Sequence, residues 1–357
     1  MRPLRPRRAT AEPTVTVVVP CYNYGRYLPQ VVASVLTQER VRADVVIVDD
    51  ASTDDSLQVA RALAEADKRV TVLAHEANRG HIATYNDGFA LARGTYVVLL
   101  SADDLLAPGA LARATDLMEA EPSVGLVYGL PESFSAPTPP RPGWRPISWT
   151  LWAGADWIAW ASRRGRCFIL SPEVVMRTAA LREVGDYNPA LPHSADLEYW
   201  LRTAARWDVG RVNGPVHAHY RVHEANMHLT VFATMLVDLR HRLAAFAVLD
   251  QPQTRALLPS APVRWRRARR ALAREALVLA ARDLDAGADP ATAAQLADFA
   301  EEAWPASAGW RRSRAVRRTL AHAVAGRGPT RAQGLMRLAR DAADRIRWKV
   351  WRIVGIS

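Results

Sequence analysis

Val45-Val46-Ile47-Val48-Asp49-Asp50 and Tyr96-Val97-Val98-Leu99-Leu100-Ser101-Ala102-Asp103-Asp104 decide the fold. Each is a short, mostly β-branched or aliphatic run that ends in a pair of aspartates. Runs of this length bounded by polar turns read as buried parallel strands. In an open α/β sheet, ligands bind beyond the carboxyl ends of such strands. Four carboxylates are therefore expected to gather near one crevice. Clustered carboxylates repel unless a cation neutralises them, and a hard divalent metal carrying phosphate is the usual partner.

Outward from these two stretches, strand alternates with helix. Val15 to Val19 is a first strand stopped by Pro20, and Asn23-Tyr24-Gly25 is turn chemistry. Leu28, Val31, Val32, Val35 and Leu36 share one face of a helix expected over Tyr27 to Gln38. Ser52-Thr53-Asp54 offers a cap for a helix through Leu57, Ala60 and Leu63. Val70 to Leu73 is a third strand, Asn78-Arg79-Gly80 a loop, and a helix through Ala83, Phe89 and Leu91 ends at Gly94. Pro108 is expected to open a further helix. Val124 to Tyr128 reads as another strand, and Pro137 to Pro146 as an extended Pro-rich segment. Trp144, Trp149, Trp152, Trp157 and Trp160 are consistent with a groove lining or with a packed core. The expected class is α/β: a doubly wound, mostly parallel sheet with flanking helices, followed by an α-helical C-terminal region.

The 357 residues carry a formal net charge of +11 and two cysteines, Cys21 and Cys167. That length suits two domains, and so few cysteines argue against a disulfide framework. The charge points to an anionic partner, with nucleotide phosphate, acidic lipid and nucleic acid all open. No apolar run approaches a membrane span, and the basic start lacks the apolar stretch of a signal peptide. The expected organisation is a disordered basic lead-in over 1–13, a catalytic domain over 14–229 and a basic helical region over 230–357. A cytoplasmic location is expected, with peripheral placement on the inner face of the plasma membrane as an extension of it.

Several stretches, in order, resemble the family 2 glycosyltransferases of the nucleotide-sugar-binding GT-A fold. They are Val17-Val18-Val19-Pro20-Cys21-Tyr22-Asn23, Ser34-Val35-Leu36-Thr37-Gln38, Val46 through Asp54, Asn78-Arg79-Gly80 with Asn86, Ser101-Ala102-Asp103-Asp104 and Asp196-Leu197-Glu198-Tyr199-Trp200-Leu201-Arg202. The resemblance covers residues 14 to 228. It implies an inverting transfer of a sugar from a nucleoside-diphosphate sugar to an acceptor hydroxyl, in surface polysaccharide, glycolipid or glycoconjugate synthesis. The acceptor would be a carbohydrate or a lipid-linked sugar.

The resemblance also implies roles. Asp50 would accept a hydrogen bond from the nucleobase, with Pro20 and Tyr22 flanking the base; its alternative is a helix-capping carboxylate. Asp49 either shares that role or orders the loop. Asp104 would ligate Mn²⁺ or Mg²⁺, Asp103 would reach the ribose or sugar, and His223 would be a third metal ligand or, with Arg221, a diphosphate contact. Arg79 lies in a loop that the family places near the nucleotide; its alternative is a solvated side chain. Asp196 would be the general base, its alternative being an N-cap, and Glu198 is a second candidate. Departures from the family are Ala195 for an acid, Ala51 for a glycine and Tyr85 for an arginine.

In the tail, Arg264, Arg266, Arg267, Arg269 and Arg270 form one basic cluster and Arg311, Arg312, Arg314, Arg317 and Arg318 another. Leu335 through Ile353 has helical apolar spacing with Arg345, Arg347, Lys349, Trp348 and Trp351. Such a helix suits an anionic membrane interface, or a bundle packed on the catalytic domain. Competing classes are a metal-dependent nucleotidyltransferase, a receiver-type signalling module and a nucleic-acid-binding protein acting through the tail. No nucleic-acid-binding motif supports the last, so no nucleic acid partner is expected.

Overall fold

The computed structural model describes residues 1–10, 12–140, 147–169, 171–224 and 234–324. These divide into two compact units, one of residues 1–157 with 168–224 and one of 158–167 with the helices from 234 onward.

The first unit is built on one sheet. Its parallel part follows the acid-ended runs: β2 (Thr14–Cys21), β3 (Arg42–Asp49), β4 (Val70–Ala74) and β5 (Tyr96–Leu99) lie in the order β5-β2-β3-β4. The register sets Cys21 opposite Asp49 and Val19 opposite Ile47, so the strand ends are level. Between them run α1 (Leu28–Leu36), α2 (Ser56–Ala66) and α3 (His81–Ala90). Beyond β5 the sheet becomes mixed. The short β9 (Val175–Arg177) pairs antiparallel with both β5 and β7 (Val124–Phe134), while β7 runs parallel to the long β10 (Asp208–Arg221). β8 (Ser148–Trp152) and β6 (Leu105–Leu106) both run antiparallel to β10.

Burial explains the sequence texture. Val15, Val17, Val19, Val45 and Ile47 are fully buried in the main core cluster. Burying each such side chain contributes about 2 kcal/mol. Trp149, Trp152 and Trp157 are buried, with Trp152 stacked on Tyr128 at 5.9 Å, so these three are core rather than groove; Trp144 lies outside the described residues. Gly88 lets α3 sit directly on the sheet: a Cβ there would meet Val18 Cγ1 at 2.3 Å.

Three local expectations change. The stretch expected to be a disordered lead-in contains β1 (Arg2–Leu4), which pairs antiparallel with β8; Arg2 also bonds Glu121, and the Ala9 N–H reaches Asp116. Pro108 does not open α4 (Ala110–Ala120), because Gly109 turns left-handed at φ +70° and takes the N-cap position instead. Asp54 is not the N-cap residue of α2, though its carboxylate does accept from the Ser56 N–H at 2.9 Å. Ala51, where the family often has glycine, holds φ +56°. A side chain in that left-handed region costs about 1 kcal/mol relative to glycine.

The remaining helices of the first unit are α6 (Thr178–Val184) and α7 (Ala195–Ala204), and α5 (Gly154–Arg164) joins the two residue sets. The second unit holds α8 (Met235–Phe246), α9 (Pro252–Leu257), α10 (Ala261–Asp285), α11 (Pro290–Ala303) and α12 (Arg311–Val324). Asp289 caps α11 through the Ala291 N–H, with Pro290 in the first turn as expected. Leu239, Phe246, Leu272, Leu277, Leu296 and Phe299 are buried. Arg266, Arg267, Arg270, Arg274, Arg311 and Arg312 stay exposed, and the guanidiniums of Arg270 and Arg274 lie 5.9 and 5.7 Å from the Trp310 ring centre. The terminal helix expected over residues 335–353 lies outside the described residues. Among the described residues no helix is long and apolar enough to cross a membrane.

Candidate functional site

The site begins where β3 stops. Asp49 is buried; one carboxylate oxygen accepts from the Ser52 N–H at 3.1 Å, and the other has no hydrogen-bond partner among the described residues. Asp50 is only 3% exposed and reaches across to the loop after β4. Its Oδ1 accepts from the Arg79 N–H at 2.8 Å and lies 2.7 Å from His75 Nδ1, while Oδ2 accepts from the Gly80 N–H at 2.9 Å. Burial opposes its charge, but the Arg79 N–H, then His75 and the Gly80 N–H, more than offset this and hold its pKa below the ordinary carboxylate value. Three donors from the chain thus occupy most of a carboxylate's roughly four acceptor positions. Gly80 sits at the N-terminus of α3 with φ +80°, so Asp50 orders the loop that starts this helix.

Arg79 pairs its guanidinium with Asp87 and remains about half exposed. Tyr22 is 46% exposed on the turn after β2, beside the half-buried Pro20. The same turn is tied down by Asn23, whose side-chain oxygen accepts from the Thr53 N–H at 2.8 Å.

The second cluster forms at the end of β5. Asp104 is fully buried. Its Oδ1 accepts from the Arg221 N–H at 2.9 Å, and its Oδ2 has no hydrogen-bond partner among the described residues. Burial, then the neighbouring charge of Asp103, pushes its pKa well up. Asp103 Oδ2 lies 2.9 Å from His223 Nε2, and that imidazole stacks on Tyr27 and meets Tyr24 edge-on. Tyr24 is raised to about 12 by burial and then by Asp103. Arg221, weighed as a diphosphate contact, braces the loop. Its Nε donates to the Asp103 carbonyl, a terminal nitrogen donates to Gln30, and the guanidinium lies over Tyr27 and Phe134.

Asp196 comes from the first turn of α7. Ser194 occupies the N-cap position, and Asp196 Oδ1 accepts from the Tyr187 hydroxyl at 2.9 Å. Glu198, the second candidate base, pairs with Arg202 in a two-pronged ion pair at 2.8 and 2.9 Å. The charges of several acids act on Tyr85 of α3. Burial first, then the charges of Asp196, Asp103 and Asp104, drives its hydroxyl far above the usual tyrosine value. Three carboxylates from two distant stretches thus act electrostatically on one phenol, at the position where the family often has arginine.

The donor set fits a hard divalent cation. Asp104 offers a buried, unbonded oxygen beside a second carboxylate, and Tyr85 brings no positive charge. Among the described residues no three His, Cys, Asp or Glu side chains form a closed metal cluster. A divalent cation there would take one or two carboxylates from the chain and its other positions from phosphate and water, as Mg²⁺ sites commonly do. His223 is engaged with the Asp103 carboxylate. Tyr85, Tyr187 and His75 were not anticipated as site residues, since only the folded chain brings them beside the acids.

The profile described as Glycosyl transferase family 2 matches residues 16–181, the segment that carries both acid-ended strands. This segment belongs to glycosyl transferase family 2. The glycosyltransferase GlyG of Streptococcus pneumoniae is 34% identical over 123 residues, covering 33% of this chain and 40% of that protein. Succinoglycan biosynthesis protein ExoU of Rhizobium meliloti is 30% identical over 209 residues, covering 55% of this chain and 58% of its own. The chain thus spans less than two thirds of these curated relatives. Among solved structures, S. aureus TarS residues 1–349 in complex with UDP-GlcNAc aligns with a TM-score of 0.56 and 16% identity, covering 88% of this chain and 92% of that one. At that identity the likeness speaks for the GT-A fold alone.

Proposed function

We propose that this protein is an inverting glycosyltransferase that moves a sugar from a nucleoside-diphosphate sugar to an acceptor hydroxyl. The observation that carries this reading is the buried Asp104 carboxylate beside Asp103 at the end of β5, with one oxygen left without a hydrogen-bond partner among the described residues. The nucleotide lies against Tyr22 and Pro20, with Asp50 holding the 78–80 loop and keeping one acceptor position for an imide N–H of the base. Asp104, with Asp103 beside it, would hold Mg²⁺ or Mn²⁺, and such an ion would supply the positive charge that favours departure of the nucleoside diphosphate. The acceptor oxygen attacks the anomeric carbon from the face opposite the diphosphate. Its proton passes to the Asp196 carboxylate, and the breaking C–O bond leaves its electron pair on the diphosphate.

A thermal-shift panel of UDP-, dTDP- and GDP-sugars, each with and without Mg²⁺ or Mn²⁺, tests the donor reading; UDP-GlcNAc is the first probe because TarS binds it. A ligand at 100 times its Kd stabilises by about 2.7 kcal/mol, a rise of several degrees for a chain of this size. The expected result is a metal-dependent rise with a pyrimidine nucleotide sugar. No rise with any donor under either metal would overturn the reading.

The exposed arginines of α10 and α12 support contact of the helical unit with an anionic lipid surface, where a lipid-linked acceptor would be met. The full chain is expected to float with phosphatidylglycerol vesicles at low salt and to release as salt rises. Equal recovery with zwitterionic vesicles, or none with either, would remove this part.

A further inference from the structure

We propose that Tyr187 is a positioning residue for Asp196: its hydroxyl fixes the carboxylate, and Asn86 fixes Tyr187. This rests on the reading of Asp196 as the base. The Tyr187 hydroxyl donates to Asp196 Oδ1 at 2.9 Å. The backbone of Tyr187 is held at both polar groups by one side chain, since its N–H donates to Asn86 Oδ1 at 2.8 Å and its carbonyl accepts from Asn86 Nδ2 at 3.1 Å. The ring is clamped as well. It stacks on Tyr199 with centroids 4.1 Å apart and planes 8° from parallel, while Tyr85 meets it edge-on and Phe89 stacks on it at 6.0 Å. Tyr187 is 1% exposed, so this phenol has almost no freedom to turn away.

A phenol held this way does two things for a carboxylate base. It selects one rotamer of the carboxylate by donating to Oδ1. It also favours the charged form of the acid, keeping the base ready at neutral pH. The net proton transfer is unchanged: the acceptor hydroxyl loses its proton to Asp196 as the glycosidic bond forms and the diphosphate leaves. Among the described interactions, the titratable groups linked to Asp196 include Tyr187 and Tyr85, with Asp103 and Asp104 also acting on Tyr85, and Arg202, Asp186 and Glu198 acting on Tyr199.

The test uses the full chain with the sugar nucleotide that gives the largest thermal shift, and water as acceptor, read as nucleoside diphosphate release. Tyr187→Phe keeps the stacked ring and removes only the hydroxyl. It is expected to lower kcat about tenfold, the loss of one hydrogen bond to a charged group. Donor affinity should stay unchanged, and the acid limb of kcat should move up by about one pH unit. Tyr199→Phe is the control. Its hydroxyl is buried with no hydrogen-bond partner among the described residues, so rate and limb should both stay in place. A Tyr187→Phe enzyme with the parent rate overturns the proposal, and so does one that slows with its acid limb unmoved, which would mark a packing role. A failure of the underlying reading looks different: Asp196→Asn would then keep its rate whatever Tyr187→Phe does.

Discussion

Asp196→Asn is expected to lower sugar transfer by about 10²- to 10⁴-fold and leave donor binding as it was. Asparagine has nearly the same shape and still accepts from the Tyr187 hydroxyl, so the first turn of α7 keeps its contacts. What disappears is the proton acceptor. Asp196 is half-buried, while the Asp50 loop is held by the Arg79 and Gly80 N–H groups, so the end of the site proposed for the nucleotide is expected to stay as it was. Single-turnover release of nucleoside diphosphate measures the rate, and thermal shift measures the binding. An Asp196→Asn protein that turns over at the parent rate would show that the base lies elsewhere.

The second large effect concerns Asp104. Asp104→Asn is expected to abolish the metal-dependent part of the donor shift and to slow transfer about a thousandfold, the value of several kcal/mol of charge stabilisation. Asparagine is preferred to alanine because Asp104 Oδ1 accepts from the Arg221 N–H, and losing that acceptor would disturb the end of β10. Without metal, the variant should melt at or above the parent temperature, because it removes one of two adjacent buried carboxylates. Unchanged titration by Mg²⁺ and Mn²⁺ would exclude Asp104 as a ligand.

Much of this arrangement was legible in the chain itself. Val15–Val19, Val45–Val48, Val70–Leu73 and Tyr96–Leu100 each form a strand within a residue or a few of the expected bounds, because β-branched runs between turns carry a strong local signal. Less could be read past Tyr128. β9 has only three residues, too few for any period, and β10 carries Gly210, Gly214 and Pro215 and slips register near Val216. The acids at the strand ends were visible, but their partners were not. Asp50 takes its donors from residues 25 to 30 positions later, and Asp196 meets a tyrosine from a separate turn. Local pattern names the carboxylates; tertiary packing decides which donors complete them.

α3 has a mechanical consequence. Its first residue follows the Gly80 amide gripped by Asp50, and one and a half turns later Asn86 grips Tyr187. At 1.5 Å per residue the two grips are about 9 Å apart along one rod, and Gly88 lets that rod lie flush on the strands. The grips sit on the same stiff lever. On the proposed roles, a tug at the 78–80 loop would reach Tyr187 and Asp196 through hydrogen bonds and packed rings.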